Sequence, residues 1–158
     1  MSANKRPRKA YKPRPVLVSP LPFCSSAYML RAIGLRVRSE VDAVVSHDAQ
    51  PQHVHALSAE IVSLAAAIDI ARAKPDHCQV DPDALEQAGE EVHRIAHSIA
   101  SVTQRMEQTG KIGCSGTERA DILQLADIYE QLLTALPRRM WHDAYERAIQ
   151  QPEMRVAA

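Results

Sequence analysis

Residues 81–110 read DPDALEQAGEEVHRIAHSIASVTQRMEQTG, and within them Leu85, Ala88, Val92, Ile95, Ile99, Val102 and Met106 recur in alternating steps of three and four. That spacing lays one apolar stripe along a helix of about six turns, whereas a strand would need alternation every second residue. Both ends carry stop signals. Asp81 offers a carboxylate to free backbone N–H groups, Pro82 suits the first helical position, and Asp83 faces the positive end of the helix dipole. Gly110 supplies a C-terminal stop.

The same seam recurs on either side. Upstream, Pro51 opens a helix over about 51–73 in which Val54, Leu57, Ile61, Leu64, Ile68 and Ala71 keep the three-four step, closed by Lys74-Pro75-Asp76. Downstream, Ser115-x-x-Glu118 forms a capping box before Ile122, Leu125, Tyr129, Leu132 and Leu136. Pro137 then restarts the chain as a short fifth helix carrying Met140, Trp141, Ala144, Tyr145 and Ala148. The first helix is expected to begin after an N-cap at Ser25 or Ser26 and to run to about His47. Leu30, Ile33, Val37, Val41 and Val44 share its apolar face, and Gly34 is its weak point. Short connections between seamed helices predict an all-α, antiparallel bundle of four to five helices with crossing angles of about 20°. Leu57, Ile61, Leu64, Val92, Ile95, Ile99, Leu125 and Leu132 are expected to be buried together. Such seams close within one chain or against a second copy in a homodimer.

A chain of 158 residues holds one core of ordinary size. One Phe and one Trp among abundant aliphatics favour helices packed by small side chains over a sheet. The net charge of zero conceals a segregation: from Met1 to Arg38 stand nine Lys or Arg and no acid, and from Ser39 onward ten basic face nineteen acidic residues. Residues 1–22 carry five prolines among basic and small residues, a composition that cannot bury enough apolar surface to order itself. The expected organisation is an extended or disordered basic arm over 1–22, a helical bundle over 23–150 and a flexible tail over 151–158.

Lys5, Arg6, Arg8 and Lys9 ahead of Val16-Leu17-Val18 imitate a secretory signal, but Pro15, Pro20 and Pro22 interrupt the run. Leu21-Pro22-Phe23-Cys24 has the spacing of a lipid-attachment box, with Phe23 too large for its place. No apolar stretch approaches the ~18 residues of a membrane span, so no membrane is expected. Cys24, Cys78 and Cys114, odd in number and widely spaced, suit a reducing cytoplasm better than a disulfide framework.

Candidate chemistry is sparse. His93 and His97, four apart, share a helix face at a spacing that can bind a transition metal, but Arg94-Ile95-Ala96 between them lacks the general-base Glu of H-E-x-x-H. They flank the seam and read as boundary residues, so no metal or other cofactor is assigned. His53, His55, the pair His77-Cys78 and Cys114 follow no zinc-ligand spacing. Gly113-Cys114-Ser115-Gly116 lacks the G-x-S-x-G spacing of a nucleophile turn, and Lys111 precedes its glycines instead of following them as a phosphate loop requires. The arm stands out: Lys5, Arg6, Arg8, Lys9, Lys12 and Arg14 supply six cations, Tyr11 a ring that can stack on a base, and the prolines extension. These seven residues are the expected contact with nucleic acid or an acidic protein groove.

Lys5 to Val16 (KRPRKAYKPRPV), together with Thr109 to Arg119 (TGKIGCSGTER) and Asp121 to Leu133 (DILQLADIYEQLL), resembles small accessory proteins of tailed bacteriophages and prophages of β-proteobacteria. The resemblance covers the arm and the second half of the chain. It implies a bacterial cytoplasm, no catalytic residues, and action by binding a host protein or nucleoprotein complex, inhibition of host defence being one instance. Two other readings remain open: a structural or oligomeric helical protein with an inert arm, and a metal-dependent enzyme using His93 and His97.

Overall fold

The computed structural model describes residues 27–46 and 49–150, the side chains from Arg31 onward. The arm over 1–22, its seven contact candidates, Ser25, Ser26, Leu30's side chain, His47 and the tail over 151–158 lie outside the described residues. Among the described residues five helices follow one another: α1 (Ala27–Val45), α2 (Pro51–Ala73), α3 (Pro82–Thr109), α4 (Gly116–Ala135) and α5 (Arg138–Gln150). The connection between α2 and α3 holds a single 3-10 turn over Pro75–His77. No strand occurs among the described residues.

The punctuation acts as the sequence reads. Asp81 accepts from the Asp83 backbone N–H, Pro82 takes the first helical position, and Gly110 ends α3 at φ 67°, in the left-handed region. Ser115 and Glu118 close the reciprocal capping box of α4. At α2, Pro51 sits in the first turn, and His53 Nδ1 accepts from the Gln50 backbone N–H at 3.0 Å. That is a capping role the sequence reading did not assign to His53. Pro137 breaks the chain between α4 and α5, since its ring forbids a continuous helix there.

α1, α2, α3 and α4 close a ring in which each helix packs on the next and α4 returns to α1. Cross-links give the directions. Arg36 meets Glu60 between α1 and α2, Arg72 meets Glu86 between α2 and α3, Arg94 and Arg105 meet Asp121 and Glu118 between α3 and α4, and Arg38 meets Asp127 and Glu130 between α1 and α4. Between α3 and α4 rising number on one helix meets falling number on the other, and between α1 and α4 Arg38 meets Asp127 while Val44 meets Cys114 just ahead of α4, so both pairs are antiparallel. α5 folds back outside the ring against α2.

The core holds the predicted seams. Leu57, Ile61, Leu64, Val92, Ile95, Ile99, Leu125 and Leu132 are all buried in one cluster, joined by Ile33, Val37, Val41 and Val44 of α1. α2 buries more than its stripe: Glu60, Val62, Ser63, Ala66, Ala67 and Ile70 are covered as well, because α1, α3 and α5 pack around it. This corrects the expectation that no apolar stretch approaches the length of a membrane span. α2 alone among the described residues is long and apolar enough to cross a membrane, with a mean hydropathy of 1.6 over its best window. The interrupted seam hid that average, and 67% of the window is buried inside the bundle.

Candidate functional site

Among the described residues three clusters of polar side chains are candidates for a site. The first is internal. Glu60, in the middle of α2, is 6% exposed, and its Oε2 accepts from Tyr129 Oη of α4 at 2.7 Å and Tyr145 Oη of α5 at 2.6 Å. Oε1 pairs with Arg36 of α1, and the two tyrosine hydroxyls also touch each other. A buried carboxylate needs such partners, since an unpaired charge in the interior is costly. Burial above all, then the Tyr145 hydroxyl and the Glu60 carboxylate for Tyr129 and the Glu60 carboxylate for Tyr145, push both tyrosines above their ordinary pKa, so they stay neutral donors. Trp141 packs beside them, 5.2 Å from Tyr129 between ring centroids. Glu60 thus ties four helices at one point, with both carboxylate oxygens engaged in doing so.

The second cluster closes the α3–α4 corner. Arg105 Nη2 donates to Glu118 Oε1 at 2.7 Å, and Nη1 reaches the Gly113 carbonyl. Glu118 Oε2 accepts from the Ser115 backbone N–H at 2.7 Å. The Arg105 hydrogen bond leads in holding the Glu118 carboxyl below its ordinary range, supported by Ser115. Burial raises the neighbouring Cys114 thiol, so this cysteine is less thiolate-like than a free one. Ser115 caps a helix and Cys114 lies against the Val44 carbonyl, which accounts for the Gly113 to Gly116 stretch without a nucleophile.

The third lies on the surface. α2 and α3 enclose an open groove of about 450 Å³ with Ile61, Val62, Ile68 and Val92 in its floor. Arg72 spans it, pairing with Glu86 at 2.9 Å and Asp69 at 3.8 Å, and lies over Gly89, where a methyl group would overlap the guanidinium. His93 lines the groove and stands beside His97, Nε2 to Nε2 3.1 Å apart, the ring planes at 87°. Both rings are exposed. Arg94, between them in sequence, is turned away: Nη1 binds Asp121 and Nη2 binds Gln124, each at 2.7 Å.

No family model, curated protein or solved structure matches the chain. The geometry therefore stands by itself. Among the described residues no group of three or more His, Cys, Asp or Glu is placed to hold a metal ion, and His53, His55, His77, Cys78 and Cys114 are not drawn together. Sequence reading missed Glu60. The available signal was a single Glu amid the apolar run of α2, together with Tyr129 on the α4 seam, since a buried tyrosine hydroxyl requires a partner.

Proposed function

We propose that the protein is a non-enzymatic, phage-type accessory protein that acts by binding, with the bundle as a rigid scaffold and Lys5, Arg6, Arg8, Lys9, Tyr11, Lys12 and Arg14 as the contact segment for a host nucleoprotein or nucleic acid. Charge segregation carries this reading. Two of the nine cations before Ser39 are paired with acids of the bundle itself, Arg36 with the buried Glu60 and Arg38 with Asp127 and Glu130 on its surface. The six cations of 5–14 stand in sequence ahead of a body that is net acidic, an arrangement that favours a polyanionic or acidic partner reached by the arm. Inhibition of a host defence complex is one form such binding takes.

The test is an affinity pull-down from bacterial lysate with the full chain and with residues 2–15 deleted, each with and without nuclease. A host nucleoprotein retained by the full chain and lost on deletion supports the proposal. A partner held equally by both chains moves the interface to the helices, and no partner for either leaves the structural reading.

A further inference from the structure

The groove rim carries a geometry the arm reading does not use. We propose that His93 and His97 form a binding site for a borderline divalent transition-metal ion such as Ni²⁺, Zn²⁺ or Cu²⁺, held by the two Nε2 atoms.

Two imidazole nitrogens bound to one ion at about 2.0–2.1 Å each, at angles of roughly 95–110°, stand about 3.0–3.4 Å apart. The Nε2 atoms of His93 and His97 are 3.1 Å apart. An ion therefore fits the pair at the nitrogen separation already present. The backbone beneath is fixed, because Val92, Ile95 and Ile99 anchor this stretch of α3 in the core. Less entropy is then lost in bringing the two ligands together than on a free helix.

The surroundings favour a cation. Glu90 lies one turn before His93 on the same rim, and Asp69 and Glu86 stand on the groove wall, partly neutralised by Arg72. Arg94 is the cation nearest in sequence, and its contacts with Asp121 and Gln124 draw it toward α4. Without an ion, the 3.1 Å contact is a hydrogen bond in which one neutral ring donates from Nε2 and the other accepts. On binding, the donor ring shifts its proton to Nδ1 and both Nε2 lone pairs go to the metal, with no net proton release from a neutral pair. Two ligands leave coordination positions open, so the site is a surface anchor able to take water or a partner's group. It differs from the catalytic H-E-x-x-H arrangement, which supplies a general base that this stretch lacks.

The probe is Ni²⁺, titrated calorimetrically into the full chain, into His93→Ala and His97→Ala, and into His55→Ala as a control on an exposed lone histidine. The proposal expects one ion per chain, at least a tenfold loss of affinity in each of the two α3 variants and none in the control. Circular dichroism without metal should show all four proteins equally folded, since the substituted rings are exposed. Absence of binding to the full chain, or binding unchanged in either α3 variant, overturns the site; the latter would leave the ion on no more than one of the two imidazoles.

Discussion

α2 and α3 carry the same three-four seam, yet they end in different surroundings. α3 buries its stripe and leaves the rest of its circumference to solvent or to ion pairs, whereas α2 is covered on nearly every side by α1, α3 and α5. The difference lies in the off-seam residues. α3 fills those places with Glu, Gln, His and Arg, while α2 fills them with Ala, Val, Ile and Ser, which let neighbouring helices approach. A seam identifies the residues a helix must bury; the positions between them decide how many partners it has.

Off-seam truncation gives the sharpest contrast. Ile70→Ala on α2 should cost about 2–5 kcal/mol, as large as the loss expected for the seam change Ile95→Ala, because Ile70 is 2% exposed. Gln104→Ala, off the seam of α3, should stay within about 0.5 kcal/mol of the parent. Urea unfolding of the three variants measures this, and an inexpensive Ile70→Ala would show that α2 is no more enclosed than α3.

Next in size is the polar tie through α2. Tyr129→Phe removes a hydroxyl donated to a buried carboxylate and should cost about 1.5–3 kcal/mol. Tyr129 and Tyr145 both have raised pKa values in the fold, so folding holds protons that the unfolded chain releases. Their contribution is complete below the ordinary tyrosine value of 10.0 and is lost as pH climbs above it. Absorbance of tyrosinate against pH should therefore show these two ionising only as the protein unfolds; early, reversible ionisation of all four tyrosines would break the account of an enclosed α2.

The α3–α4 corner should respond in the opposite direction. The Glu118 carboxyl is depressed in the fold, so its stabilisation is complete above the ordinary value of 4.5 and disappears as pH falls through the lower, folded value. Acid unfolding should be less steep in Glu118→Gln than in the parent.

The smallest effect concerns α1. At Gly34 a methyl group would meet Leu133 Cδ1 at 3.7 Å, an ordinary contact, so Gly34→Ala should stabilise the bundle by about 0.5–1 kcal/mol through helix propensity alone. A loss of stability would mean that α1 and α4 pack too closely there for any side chain.

Much of this architecture was legible in the sequence because its signals are local. Asp81, Pro82 and Gly110 bound α3, and Ser115 with Glu118 starts α4, through atoms only a few residues apart. Glu60 was not legible, since its partners Arg36, Tyr129 and Tyr145 come from three other helices, up to 85 residues away. The His93–His97 spacing was visible, but the 3.1 Å separation and the turning of Arg94 toward Asp121 depend on rotamers and on α4. Charge segregation was readable in bulk, yet the structure was needed to find Arg36 and Arg38 already paired within the bundle.

The proposed division of labour gives binding to the arm and stability to the bundle. Its most direct measurement is the affinity for duplex and single-stranded nucleic acid as salt is varied, with the full chain and with residues 2–15 deleted. Six phosphate contacts predict a log–log slope of about −5 for duplex and a shallower one for single strands, flattened by the deletion. The thermal midpoint should stay unchanged when those residues are removed. An equal slope in both proteins, or no binding at low salt by the full chain, would contradict nucleic acid as the arm's partner.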